Sequence, residues 1–241
     1  MIAAINRFYR KVFCRGGYGI HSPFAFDLIT TVIEDRCEYY CYDSLSAVRK
    51  QLYYNESKLR YDNHEYTVKQ FLYKYCFTES EGRLLFRLAN RFKPKTIFVA
   101  GSDLGLAPLY LTSYSSNTHC VVFESEADVA AVSRKYLEKY PLSVELRSSC
   151  DFDAVWDLIV LGKNFLKANE SIGCEFEEYL RFVKGDTVMV ISGIYSSKKN
   201  REEWKKVCAH PVVTVTFDLY SLGIVFFNPK LHRKTYKSFV L

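Results

Sequence analysis

The sequence predicts an α/β fold: a seven-stranded, mostly parallel sheet with helical crossovers and a C-terminal antiparallel hairpin, preceded by an N-terminal helical extension. Three observations predict it. After Pro94, short apolar runs alternate with stretches of helical periodicity, the pattern of parallel strands joined by crossover helices. The last two runs, VVTVTF and LGIVFF, are separated only by DLYS, which is too short for a parallel crossover and right for a hairpin. Before Pro94, apolar residues recur at helical spacing.

The extension, residues 1–79, reads as entirely helical. Its segments are residues 2–13, then SPFAFDLITTVIED with Ser22 as N-cap and Pro23 at the first helical position, then 43–53 and 64–76. The second domain, residues 80–241, opens with the helix SEGRLLFRLANRF, which puts Leu84, Leu85, Leu88 and Phe92 on one face and Arg83, Arg87 and Arg91 on another. Strands follow at TIFVA, HCVVFE, SVELR, WDLIVL and DTVMVIS, with helices over 104–115, 126–140, 172–184 and 197–209, and the hairpin closes the series. One connection lacks a helix: about eight residues join SVELR to WDLIVL, a reach of roughly 30 Å but no packed crossover. The sheet face there is left for a partner or for the extension.

Composition narrows the function classes. A chain of 241 residues with 49% hydrophobic content can bury a sizeable core. Its apolar runs are too short to cross a bilayer, and the basic MIAAINRFYRKVF start is unlike a signal peptide, so the expected location is cytoplasmic. The eight cysteines carry no C-x-x-C or zinc-ligand spacing and read as reduced, mostly buried thiols. A net charge of +6 is spread along the chain rather than gathered in a stripe, which argues against nucleic acid. Nineteen tyrosines, many at helical spacing, read as packing for the extension rather than base-stacking surfaces.

In a doubly wound sheet, ligands collect at the carboxyl ends of the central strands. Four segments therefore matter: GSDLG after the first strand, Glu124 after the second, GKNF after the fourth and SGIY after the fifth. Gly101, Ser102, Asp103 and Gly105 make a loop whose backbone can approach a ligand, and Glu124, 23 residues past Gly101, has the spacing of an acid that takes ribose hydroxyls. Glu124 could equally favour the helix N-terminus that follows it. Asp103 reads as a turn residue, and His21 and the run from Tyr18 as packing of the extension rather than as ligand groups or a lid.

GYGIHSPFAFDLI (17–29), GRLLFRLANRFKPKTI (82–97), GSDLG before LYL, and HPVVTVTFDLYSLGIVFF (210–227) together resemble the S-adenosylmethionine-dependent O-methyltransferase-like proteins of Bacteroidetes. The resemblance covers nearly the whole chain. It implies a Rossmann-like class I methyltransferase fold and an S-adenosylmethionine pocket at Gly101, Ser102, Asp103, Gly105 and Glu124.

The departures from that family fall at polar positions. Val99 stands where the first strand usually ends in an acid; Gly162, Lys163, Asn164 and Phe165 replace an Asp-Gly-Asn-His-like sequence; Ser192, Gly193 and Tyr195 replace a pair of aspartates and a histidine. A DFGAGS-like segment expected before the 80–92 helix is unrecognisable in YDNHEYTVKQF. Methyl transfer needs in-line positioning and often a base or a divalent metal with several oxygen ligands. Gly162, Ser192 and Gly193 supply no carboxylate, so no metal site is expected there. Lys163 and Tyr195 remain as candidate bases, each requiring a depressed pKa; the plain alternative is that they are solvated rim residues.

The leading expectation is a methyltransferase-like protein with weakened or lost catalysis, a noncatalytic homologue acting through a protein partner. Its rivals are an active, metal-independent O-methyltransferase of a small-molecule acceptor and a basic RNA-binding or protein-interaction module. A cavity between Gly101, Gly105 and Glu124, rather than filling by Phe123 or Phe152, is the structural feature that would keep the cofactor reading alive.

Overall fold

The structure is a computed structural model that describes residues 10, 16–101, 103–149, 154–163 and 176–240. The expected helix over 2–13 lies outside the described residues except for Arg10. Ser22 caps helix α1, Pro23–Leu28, by accepting the Ala25 N–H, and the chain continues as a wider π turn over Ile29–Ile33. Helix α2 spans Tyr42–Tyr53.

The extension is not entirely helical. Residues Lys58–Tyr61 form strand β1, which pairs antiparallel with β2, His64–Thr67, and the turn between them places Asp62 and Asn63 at positive φ. Asp and Asn tolerate that conformation better than other non-glycine residues. Helix α3 is therefore confined to Val68–Tyr75, capped by Thr67.

Thr78 starts α4, Glu79–Phe92, with a reciprocal capping box: its hydroxyl accepts the Glu81 N–H while the Glu81 carboxylate accepts the Thr78 N–H. Leu84, Leu85 and Leu88 are buried as the periodicity requires. Arg87 is buried too, because its guanidinium donates to the carbonyls of Val32 (2.6 Å) and Ile33 (3.2 Å) left over at the end of the π turn.

The domain then builds β3 (Thr96–Ala100), α5 (Leu106–Thr112), β4 (His119–Phe123), α6 (Ala127–Leu137), β5 (Val144–Arg147) and β6 (Leu158–Leu161). Next come α7 (Phe176–Tyr179), β7 (Val188–Ser192), α8 (Lys198–Ala209), β8 (Val215–Asp218), β9 (Leu222–Phe226) and β10 (Lys234–Lys237). All seven expected strands are present. An eighth, β10, adds itself parallel to β8, giving the order β10-β8-β9-β7-β6-β3-β4-β5 with only β9 reversed. The described residues between β5 and β6 contain no helix.

Alternate strand residues divide the core in two. Ile97 and Val99 face a cluster shared with the extension, including Leu28, Leu45 and Leu72, while Phe98 and Ala100 face α7 and α8 with Trp156 and Trp204. Of the described cysteines, Cys41, Cys76 and Cys120 are buried and Cys37 is exposed, all as free thiols. Among the described residues no helix is long and apolar enough to cross a membrane.

Candidate functional site

The chain leaves β3 for β4 and β5, then returns to the other side of β3 for β6 and β7. Winding reverses between β3 and β6, and in sheets of this kind ligands bind outside the carboxyl ends of the strands at that point. The expected candidates converge there. The Gly101 N–H donates to the Phe123 carbonyl (2.8 Å), which sets the loop after β3 beside Glu124, and the Gly162 N–H donates to the Ala100 carbonyl (2.9 Å), which sets the loop after β6 on its other side.

The loop itself depends on unusual backbone. Gly101 (φ 90°) and Gly105 (φ 88°) take conformations that favour glycine, and a side chain at Gly101 would meet none of the described residues within 4 Å. Between them Asp103 (φ 53°) and Leu104 (φ 55°) are also left-handed. Ser102 lies outside the described residues.

Asp103 is more than a turn residue. Its carboxylate is buried, one oxygen accepts the Phe77 N–H at 2.8 Å, and burial pushes its pKa up to about 7. The Cys76 thiol faces the same carboxylate as a further donor; among the described residues the other carboxylate oxygen has no nitrogen or oxygen partner, nor does the hydroxyl of fully buried Ser192 at the end of β7.

Glu124 is buried, its N–H donating to the Arg147 carbonyl (2.9 Å) and one carboxylate oxygen accepting the Glu126 N–H (3.2 Å). The β1–β2 hairpin sits over the same segment: the Arg60 N–H donates to Asp128 (2.7 Å) and the Asp62 N–H to Glu126 (3.4 Å), so Tyr61 lies between the two anchors. Burial and the nearby Glu124 carboxylate raise the Tyr61 phenol.

The candidate bases are both engaged. The Lys163 ammonium donates to the Cys76 carbonyl, bridging the β6 loop to the segment before α4. The Tyr195 hydroxyl donates to Asp218 at 2.8 Å, and burial followed by that bond raises its pKa, the opposite of what a base needs. Asp218 in turn holds Arg10 in a buried ion pair, with the guanidinium 5.4 Å and 5.6 Å from the stacked rings of Tyr195 and Tyr220. Asn164, Phe165 and Phe152 lie outside the described residues. His21 is exposed, and Tyr18, expected to pack, stands 95% exposed while its neighbour Ile20 reaches the core.

Sequence reasoning missed Asp218, Arg10, Cys76 and the hairpin. Asp218 was hidden in DLYS, read only as a turn, and Asp62-Asn63 was the one local signal for the hairpin. Among the described residues no three Asp, Glu, His or Cys side chains gather as a metal would require.

No protein-family model matches the chain, and no curated relative matches it. Solved structures do. An O-methyltransferase from Bacillus cereus in complex with SAH matches over 79% of this chain and 92% of its own at 16% identity and a TM-score of 0.53. The fold is that of the O-methyltransferases. The O-methyltransferase of Streptomyces achromogenes involved in tomaymycin synthesis, in complex with SAM, matches over 85% and 94% at 13% identity and a TM-score of 0.52. A SAH-bound methyltransferase from Podospora anserina matches over 80% and 99% at 11% identity and a TM-score of 0.56.

Proposed function

We propose that this chain is a cytoplasmic, S-adenosylmethionine-type methyltransferase homologue that keeps the adenosyl-cofactor site and lacks the groups for catalysis. The observation that carries the reading is the winding reversal between β3 and β6, where the loop at Gly101 is bonded to the strand that ends at the buried Glu124 carboxylate. The solved structures of this fold that hold SAH or SAM support it. The residues fit the group: the loop lets a ligand approach the backbone at Gly101, and Glu124 carries acceptors suited to ribose hydroxyls. When bound, the cofactor supplies an electrophilic methyl on sulfur.

Neither candidate base is arranged as a proton acceptor. Lys163 and Tyr195 are both hydrogen-bond donors in the structure, and Val99, Gly162, Ser192 and Gly193 bring no carboxylate. Calorimetric titration with SAH tests the first half: binding is expected, with none at millimolar ligand overturning it. Incubation with methyl-labelled S-adenosylmethionine and a panel of phenols, catechols and thiols tests the second. Label transfer above the buffer rate would establish the rival, an active metal-independent enzyme.

A further inference from the structure

We propose that the cavity at the amino ends of β3, β6 and β7 is a binding site for a small aromatic acid, its ring among Phe24, Phe92 and Phe226 and its anionic group at Lys93 and Lys95. It lies at the opposite ends of the strands from the loop at Gly101, so the inference is independent of the cofactor reading above.

The cavity measures about 510 Å³, within the range of small-molecule sites. One part of its lining is apolar: Phe24, Phe92, Val188, Phe226 and Leu231. Phe226 is buried, while Phe24 and Phe92 are half-buried and meet it at 5.0 Å and 5.7 Å between ring centroids, the first edge-on and the second tilted. Neither contact is face to face, so ring surface remains to receive a further aromatic group.

The charged part is asymmetric. At one end Lys184 is paired with Asp157, whose second oxygen accepts the Lys95 N–H (2.8 Å) and the Thr96 N–H (3.1 Å), and Asp186 is exposed. That end has no positive charge to spare. At the other end Lys93 and Lys95 flank buried Pro94, both exposed and neither in an ion pair among the described residues. The Lys93 ammonium has only neutral company, the Asn90 side-chain oxygen and the Tyr114 ring at 5.3 Å. Lys93 also takes left-handed backbone (φ 50°) at the end of α4, where glycine is the favoured residue, so this side chain is kept against a backbone penalty. An aromatic wall ending in two uncompensated ammoniums matches a ligand with an aromatic body and one anionic group. A bare anion would leave the wall unused, and a neutral ring would leave the lysines unanswered.

The test uses the full chain with 8-anilinonaphthalene-1-sulfonate, whose fluorescence rises on leaving water, and N-phenyl-1-naphthylamine, which has the same aromatic body without the sulfonate. The sulfonate should bind saturably and be displaced by 3-phenylpropionate but not by 3-phenylpropanamide or by SAH. Lys93→Gly combined with Lys95→Met should weaken the sulfonate by about tenfold and leave the naphthylamine unchanged, whereas Lys198→Met with Lys205→Met, exposed on α8, should change neither. The site is overturned by an absence of saturable binding, by displacement with SAH, by failure of 3-phenylpropionate to compete, by a parallel loss of both dyes, or by an equal effect of the α8 pair. Melting curves confirm folding; should the double variant not fold, Lys95→Met alone decides, with a loss of about threefold expected for the sulfonate only.

Discussion

Asp103 sets a pH dependence on the whole chain. Its folded value of about 7 lies above the ordinary 3.8, so between those limits the native state holds a proton that the unfolded chain has released. Stability on this account falls as pH rises through that window and carries the full cost above pH 7. Asp103→Asn, which keeps an acceptor for the Phe77 N–H, should flatten the slope and exceed wild type above pH 7 by on the order of a few kcal/mol in urea unfolding; a slope unchanged by the substitution would show that Asp103 is not its source. Asp218, by contrast, is matched by a buried cation. Asp218→Ala strands the Arg10 charge and should cost about 3–5 kcal/mol by the same measurement, with much of it restored when Arg10 is also made apolar. At the site, Glu124→Ala should weaken SAH by about 1–3 kcal/mol in calorimetry through loss of charge-assisted bonds, and an unchanged affinity would move the pocket elsewhere. Glycine loop and acid were legible in the sequence because backbone geometry restricts residue type there. The partners of Lys163 and Tyr195 were not, because Cys76 and Asp218 meet them only through tertiary packing across 87 and 23 residues.

Elements show the same division between local and distant causes. The α4 helix was readable from its apolar stripe, and its start is fixed locally by Thr78 and Glu81. Thr78→Ala should cost about 1 kcal/mol in urea unfolding while Thr78→Ser costs little; equal losses would mean that the methyl group, not the cap, matters. The β1–β2 hairpin was hidden because two four-residue strands give little alternation, and HEYTVKQFLYKY shows helical spacing that belongs in fact to α3 alone. Its position is set from outside by the Glu126 and Asp128 carboxylates at the start of α6. The eighth strand escaped notice for a related reason: KTYK is polar on most of its residues, with Tyr236 alone buried, and edge strands need no apolar run. The reversed β8–β9 pair was legible because its connection length excludes a crossover. Its Gly223 is required by packing instead, since a side chain there would enter the Trp204 ring.

At the scale of the molecule, the division at residues 79 and 80 separates a change of pattern, while the core runs across it. Leu28, Ile33, Leu45 and Leu72 of the extension share one cluster with Leu85, Leu88, Ile97, Val99 and Phe217 of the domain, and Arg87 of α4 satisfies carbonyls of the π turn. Polar links cross the same line where Phe77 meets Asp103 and Cys76 meets Lys163, so the candidate site is assembled from both parts. A fragment spanning 80–241 would expose an apolar sheet face and lose its cover, and it should be aggregated or molten rather than folded. The intact chain should unfold in one transition, because neither part buries its own apolar surface alone. Its two tryptophans allow a direct check: Trp156 and Trp204 both lie in the cluster on the far face of the sheet, so their fluorescence reports the domain, whereas far-ultraviolet circular dichroism also follows α1, α2 and α3. Coincident urea transitions by the two probes are expected. An earlier loss of helical signal with tryptophan fluorescence unchanged would mean that the extension unfolds on its own, leaving Asp103 and Lys163 without the segment that they hold.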